Sequence, residues 1–159
     1  MMFRELSRKN RAATHEECIR LLESEKRGVL SVQGDDGYPY GMPMNHWYDP
    51  ETGCIWFHAG HGGHREDALR RCLKASFCVF DEGWTAPDHW AKNITSVIVF
   101  GQVELVEDMD EIVRVGAALS RKFIQDEEHI RKEIAASAHK TVLLRLTPEH
   151  ISGKHVKEE

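Results

Sequence analysis

The sequence predicts a mainly β domain with flanking helices, an antiparallel barrel or sandwich of about six strands. Three observations carry this expectation. Short apolar runs are joined by tight-turn signals, Asp35-Asp36-Gly37 and Asp49-Pro50-Glu51-Thr52-Gly53. The run from Thr95 to Val106 is the longest, and its centre, Val97-Ile98-Val99-Phe100, is apolar at every position, so both faces need cover. Helix-start signals do not follow every strand, which places an alternating βαβ arrangement second.

Residues 1–13 are polar and basic, with Arg4, Arg8, Lys9 and Arg11, and read as an extended N-terminal arm. Thr14-x-x-Glu17 is a capping box that opens a short helix with Cys18, Ile19, Leu21 and Leu22 on its apolar face. Gly28 ends the helical region, and Val29-Leu30-Ser31-Val32 begins the first strand. The second strand, Tyr38 to Tyr48, contains Pro39, Gly41 and Pro43. Proline cannot donate to a ladder, so this strand is bent or lies at an edge, where a ligand can approach its backbone. Cys54 to His58 is the third strand, a helix follows over about 64–73, and Ala75 to Phe80 is the fourth strand.

Residues 83–93 have no period and form a loop with two exposed tryptophans, Trp84 and Trp90. Such aromatics cover a core edge, line a flat ligand or meet another subunit. Thr95 to Val106 is the fifth strand. Asp108-x-x-Glu111 caps a helix with Ile112, Val113, Val115, Ala118 and Leu119 apolar, and a charged helix follows over about 126–138. Thr141 to Leu146 is the sixth strand, so the domain spans 14–147. Residues 148–159 are expected to be a loose polar C-terminal tail.

Composition excludes several classes. The 159 residues suffice for one domain with a substantial core. Hydrophobic residues make up 41% and charged residues 30%, an ordinary globular balance. A net charge of −5 argues against a nucleic-acid partner. No apolar run approaches the roughly 18 residues of a membrane span, and Met1-Met2-Phe3-Arg4-Glu5-Leu6 lacks the apolar core of a signal peptide. Cys18, Cys54, Cys72 and Cys78 form no Cys-x-x-Cys pair, so free, buried thiols in a reducing cytoplasm are expected.

The richest stretch chemically is Trp56 to Leu69. A strand passes through His58-Ala59-Gly60-His61-Gly62-Gly63 into a helix that begins at His64-Arg65. A glycine turn before a helix leaves backbone N–H groups free at the positive end of the helix dipole, which suits an anion. Arg65 offers a planar fork of donors matched to phosphate, pointing to a phosphorylated cofactor. The alternative is a solvated basic residue in a first turn. Neither a P-loop nor a Rossmann spacing is present. His58, His61 and His64 recur every third residue, but two of them lie in the turn and no carboxylate cluster accompanies them, so no metal site is expected.

In order and spacing the chain resembles the pyridoxamine 5′-phosphate oxidase-like, FMN-binding split barrels, and within them the 5-nitroimidazole resistance (Nim) branch. The resemblance runs over about residues 3–147. It is carried by Arg27-Gly28-Val29-Leu30, by Tyr38-Pro39-Tyr40-Gly41-Met42-Pro43-Met44-Asn45, by Ile55-Trp56-Phe57-His58 with Gly63-His64-Arg65, and by Thr95-Ser96-Val97-Ile98-Val99-Phe100-Gly101. It implies a six-stranded split barrel with FMN at a homodimer interface, and a partner over the 97–100 run. By the same resemblance Met44 and Asn45 face the flavin ring. His58 and Ala59 lie near the ribityl chain and phosphate, His64 and Arg65 hold the phosphate, and Ser96 and Val97 lie alongside the flavin.

The family frequently has lysine where this chain has Arg65. His58 matches the histidine implicated in substrate handling, while as a lone strand-end histidine it also reads as a packing residue. The implied function is an oxidoreductase that reduces a small aromatic or nitro compound with electrons from a nicotinamide donor. The alternatives are a non-catalytic binder of flavin, haem or F420, and a true pyridoxamine phosphate oxidase. The arginine-rich substrate segment of the latter has no match in His150-Ile151-Ser152-Gly153-Lys154-His155.

Overall fold

The computed structural model describes residues 2–158. Thr14 accepts from the Glu17 amide and Glu17 accepts from the Thr14 amide, so the expected capping box starts α1 (His15–Ser24). Cys18, Leu21 and Leu22, spaced for one helix face, are its buried residues. β1 (Arg27–Gln33) and β2 (Pro39–Asn45) form an antiparallel hairpin. Its turn holds Asp36 at φ +55° and Gly37 at φ +80°, the left-handed conformations that the Asp-Asp-Gly sequence favours.

The second strand was expected over Tyr38 to Tyr48, bent or at an edge; β2 does lie at the end of the strand order, and the stretch divides at His46. β2 pairs with β1, whereas β3 (Trp47–Tyr48) pairs with β4 (Ile55–Gly60). The cause is His46 itself. Its backbone N–H donates to Lys26 O at 3.2 Å. Its ring is fully buried with Nε2 2.8 Å from Leu22 O, so the chain turns inward there.

α2 (His64–Arg71), β5 (Lys74–Phe80) and β6 (Trp84–Thr85) follow, then β7 (Lys92–Val106), α3 (Met109–Arg121), α4 (Glu127–Ser137) and β8 (Thr141–Glu158). All pairings are antiparallel in the order β2-β1-β5-β7-β8-β4-β3, with β6 added to β7. The two end strands are consecutive in sequence, so the sheet curls back on itself as a half-closed barrel. Among the described residues the count is eight strands rather than about six. β3 and β6 are the additions, each of two residues.

The polar tail is part of the sheet as far as Glu158. β8 does not end at Leu146 but pairs with β7 as far as Lys92↔Glu158, through an irregularity at Phe100/Gly101. A Cβ on Gly101 would collide with the Thr147 carbonyl, so glycine permits this bend.

The concave face is filled by Leu30, Met42, Phe57, Phe77, Val97, Val99 and Leu144 against α1. Burying each such side chain contributes about 1.5–3 kcal/mol. On the opposite side of β4 and β8, α3 and α4 cover Trp56 and Leu143 with Ile112, Val115 and Leu119. The convex face of β1, β5 and β7 is not so covered. In the 97–100 run Val97 and Val99 are fully buried, while Ile98 and Phe100 are each 40% exposed. Val29 and Phe80 share that convex side and are exposed too. Phe3 of the arm stacks on Phe100 at 5.7 Å.

Among the cysteines only Cys18 is buried. Cys54, at the rim of the α3-side cluster, Cys72, the C-cap of α2, and Cys78, opposite the outward Val29 and Ile98, are half-buried, and all four are free thiols. No helix among the described residues is long and apolar enough to cross a membrane.

Candidate functional site

β4 delivers its last residues to the glycine turn, and α2 begins beyond it. Gly62 (φ +78°) and Gly63 (φ +89°) adopt backbone conformations that other residues rarely reach. Gly63 caps α2 without a side-chain hydrogen bond. The Gly62 amide donates to Glu66 Oε2 at 2.6 Å, so one loop donor is already satisfied within the chain. That amide, with Arg70, holds the Glu66 carboxyl below its usual range. Glu66 and Asp67 thus already place carboxylates in the first turn of α2, and the N–H groups of His64 and Arg65, from which no side chain among the described residues accepts, are the donors left over.

Arg65 and His64 leave the helix in different directions. Arg65 is half-buried, with Nη1 3.4 Å from the sulfur of Met44 at the end of β2. A thioether is a weak acceptor. Arg70 is paired with Glu66 and Arg71 with Asp35, whereas Arg65 has no ion pair among the described residues. His64 instead stacks on Tyr40 at 4.1 Å, with Nε2 3.7 Å from Asp35 Oδ2. The structure thus joins Arg65 to Met44 and turns the His64 ring to the β1–β2 hairpin.

Asn45 and His58 meet in one cavity of about 240 Å³, between β4, β8 and the α3–α4 hairpin. His58 is exposed at the cavity mouth, and partial desolvation of its ring, then the nearby Arg65 charge, lower its pKa. That direction favours the neutral imidazole, which has one N–H donor and one lone pair. Ala59, next in β4, alternates inward, is buried and pairs with Val142.

Ser96 and Val97 lie apart from this group. β1 and β5 separate β7 from β2, a distance of about 14 Å in three strand spacings. Val97 is fully buried in the core, and Ser96, between Phe80 and Lys154, is half-buried on the convex side.

Nothing in the sequence marked the cavity wall or its anchor. Ile112 and Leu119 read only as an apolar helix face and Ile134 lay in a helix read as charged, and what those helices cover depends on long-range packing. Lys122, just past α3, donates to Glu25 O at 2.6 Å and to His46 O at 2.7 Å. It ties the helix to the residue beside Asn45. Burial lowers its pKa to about 8.

A family model described as pyridoxamine 5′-phosphate oxidase matches residues 14–155. Among solved structures, a proposed 5-nitroimidazole antibiotic resistance protein from Bacteroides thetaiotaomicron superposes with a TM-score of 0.79 at 16% identity. The match covers 92% of this chain and 87% of that one. An FAD-binding protein from Mesorhizobium loti gives 0.68 at 19% identity, over 92% and 97% of the two chains. The flavocytochrome Anf3 from Azotobacter vinelandii gives 0.77 at 18%, over 94% and 71%. At such identities these likenesses speak to the fold. No curated protein matches the sequence.

Proposed function

The chain belongs to the pyridoxamine 5′-phosphate oxidase family, and from that premise we propose that it is a flavoprotein that binds FMN and acts as an oxidoreductase. The observation that carries this reading is Arg65, a half-buried guanidinium with no ion pair among the described residues, beside the start of α2, where Gly63 provides no side-chain cap. A phosphate monoester supplies what these donors lack, a multidentate anion. The residues present fit the group. Arg65 and the first amides of α2 would hold the phosphate, whereas His64, stacked on Tyr40 and turned toward Asp35, would have to swing away from the hairpin to join them. Met44, Asn45, His58 and Ala59 would line the ring and ribityl side.

A bound flavin supplies two-electron and one-electron transfer. The chain's own share is to orient, to exclude water and, at His58, to give or take a proton beside the reacting substrate. A small aromatic or nitro compound is the proposed acceptor and a nicotinamide the donor, in the cytoplasm. The exposed row of Val29, Ile98 and Phe100 favours a homodimer. Ser96, on the same convex side, would then approach the flavin held by the partner copy, which accounts for its separation from Asn45.

The test is the visible absorption spectrum of freshly purified protein, followed by acid release and mass identification of the chromophore. FMN at about one per chain supports the reading. A haem Soret band, or failure to take up added FMN, overturns it. Steady electron transfer from a nicotinamide to an added acceptor separates an enzyme from a flavin-storing protein.

A further inference from the structure

The cavity at Asn45 and His58 has a chemical bias that the flavin reading does not require. Its walls are apolar, formed by Ile112, Leu119 and Phe123 from the α3 side, Ile134 from α4 and Leu143 from β8. Space exists there partly because α3 carries Gly116, whose missing Cβ would stand 3.6 Å from the Ile134 side chain. At about 240 Å³ the cavity is below the 300–1,000 Å³ typical of drug-sized ligands, so it admits a single small ring or a short chain.

Its polar groups are biased toward accepting hydrogen bonds. Three hydroxyls line it, and each has its hydrogen committed elsewhere. Ser120 Oγ donates to Gly116 O at 2.8 Å, Ser137 Oγ to Glu133 O at 2.8 Å, and Thr141 Oγ1 to Ser137 O at 3.0 Å. What these hydroxyls offer a ligand is therefore oxygen lone pairs. Glu133 adds a carboxylate at the mouth, its side chain 69% exposed, with His129 Nε2 3.9 Å away, within ion-pair reach when protonated but too far for a hydrogen bond. Only Asn45 and His58 bring N–H donors, and both stand on the strand side.

We infer that this cavity is the substrate chamber, and that it selects a small, mainly apolar molecule bearing an ammonium or other N–H donor group over an isosteric carboxylate. Its role in turnover rests on the reading that Asn45 and His58 face the flavin. The ligand preference rests on the helix hydroxyls and Glu133 alone. The donor-bearing end of the substrate lies toward α4, and the reacting end toward Asn45 and His58.

The test titrates benzylamine and benzoate, probes of nearly equal size, into isotope-labelled protein with and without added FMN. Amide shifts are followed by two-dimensional NMR and, in the loaded form, by the flavin spectrum. Benzylamine should bind roughly tenfold more tightly than benzoate and shift residues 120, 137, 141 and 58. Glu133→Gln, at an exposed helix position, should reduce that preference to about threefold or less without changing FMN affinity. Gly116→Leu should block both probes.

Equal binding of the two probes, a benzoate preference, or shifts confined to another surface overturns the inference even where FMN binds normally. Amine binding at these residues in a protein that takes up no FMN upholds the preference. That outcome overturns the substrate role together with the flavin reading.

Discussion

The guanidinium of Arg65 reaches across from α2 to the thioether of Met44, 3.4 Å away, and so links the helix start to the end of β2. This contact points the cation while leaving most of its donor capacity free. Arg65→Ala should weaken FMN binding by about 1.5–3 kcal/mol, the range for hydrogen bonds to a charged group. Arg65→Lys should retain part of the affinity, since it keeps charge but loses the fork. Fluorescence titration with FMN measures both, and unchanged affinity in the alanine variant removes Arg65 from the site.

His58 is poised as a neutral imidazole facing the cavity. His58→Ala should leave FMN affinity within a few-fold of the parent and slow turnover with a small aromatic acceptor by about 10²-fold or more, the scale of general acid–base catalysis. Stopped-flow reduction and reoxidation locate the affected step. Parental turnover returns His58 to a packing role.

The convex sheet face sets the assembly. Ile98→Asp puts a charge at the centre of the exposed row without entering the core, since Ile98 points outward. Sedimentation should show a dimer for the parent and a monomer for the variant, with FMN affinity reduced. Equal masses for the two proteins would dismiss this face as the interface.

His46 makes stability depend on acid. Its Nε2–H donates to Leu22 O, its Nδ1 has no partner, and burial against Phe77 lowers its pKa from 6.5 to about 4. The unfolded chain binds more protons between those values, so stability is complete above pH 6.5 and falls as pH drops toward 4. The loss is on the order of 3 kcal/mol for such a shift. Urea unfolding of the parent and of His46→Gln, which keeps a donor for Leu22, should diverge in this window and run parallel above it.

Lys122 behaves with the same sign at the alkaline end. As a neutral amine it still has two N–H donors for its two carbonyls. Its pKa is lowered from 10.5 to about 8, so its own contribution to stability rises with pH between those values. Lys122→Met should remove that rise and leave two carbonyls unpaired, destabilising the fold by about 1–3 kcal/mol. Urea unfolding at pH 7.5 and pH 10 measures both effects.

Local chemistry in the sequence was readable wherever it was self-contained. The Thr14–Glu17 box, the Asp108 cap and the Asp35–Gly37 turn each form as their residues dictate. In β7 the run read as apolar on both faces is covered on one, with Val97 and Val99 buried and Ile98 and Phe100 each 40% exposed. The second half of β8 was hidden, because residues 147–158 contain few apolar side chains and owe their order to pairing with β7. The break at His46 was hidden for a related reason, since it depends on a carbonyl of α1. At the site, Arg65 and Met44 were legible individually and their contact was not. The chamber needs α3 and α4 laid over β4, which no local pattern encodes.

The position of β8 between β7 and β4 also governs the order of assembly. Ile55 pairs with Leu146 and Gly60 with Thr141, so β4 has no inner neighbour until β8 has been synthesised. The β1–β2 hairpin forms from local contacts, but the wall carrying His58 must await a distant strand. Loop-closure entropy slows such a step, so refolding should show early hairpin protection and late protection at β4. Until then the apolar face of β4, with Ile55 and Phe57, stands open to chaperones and to other chains.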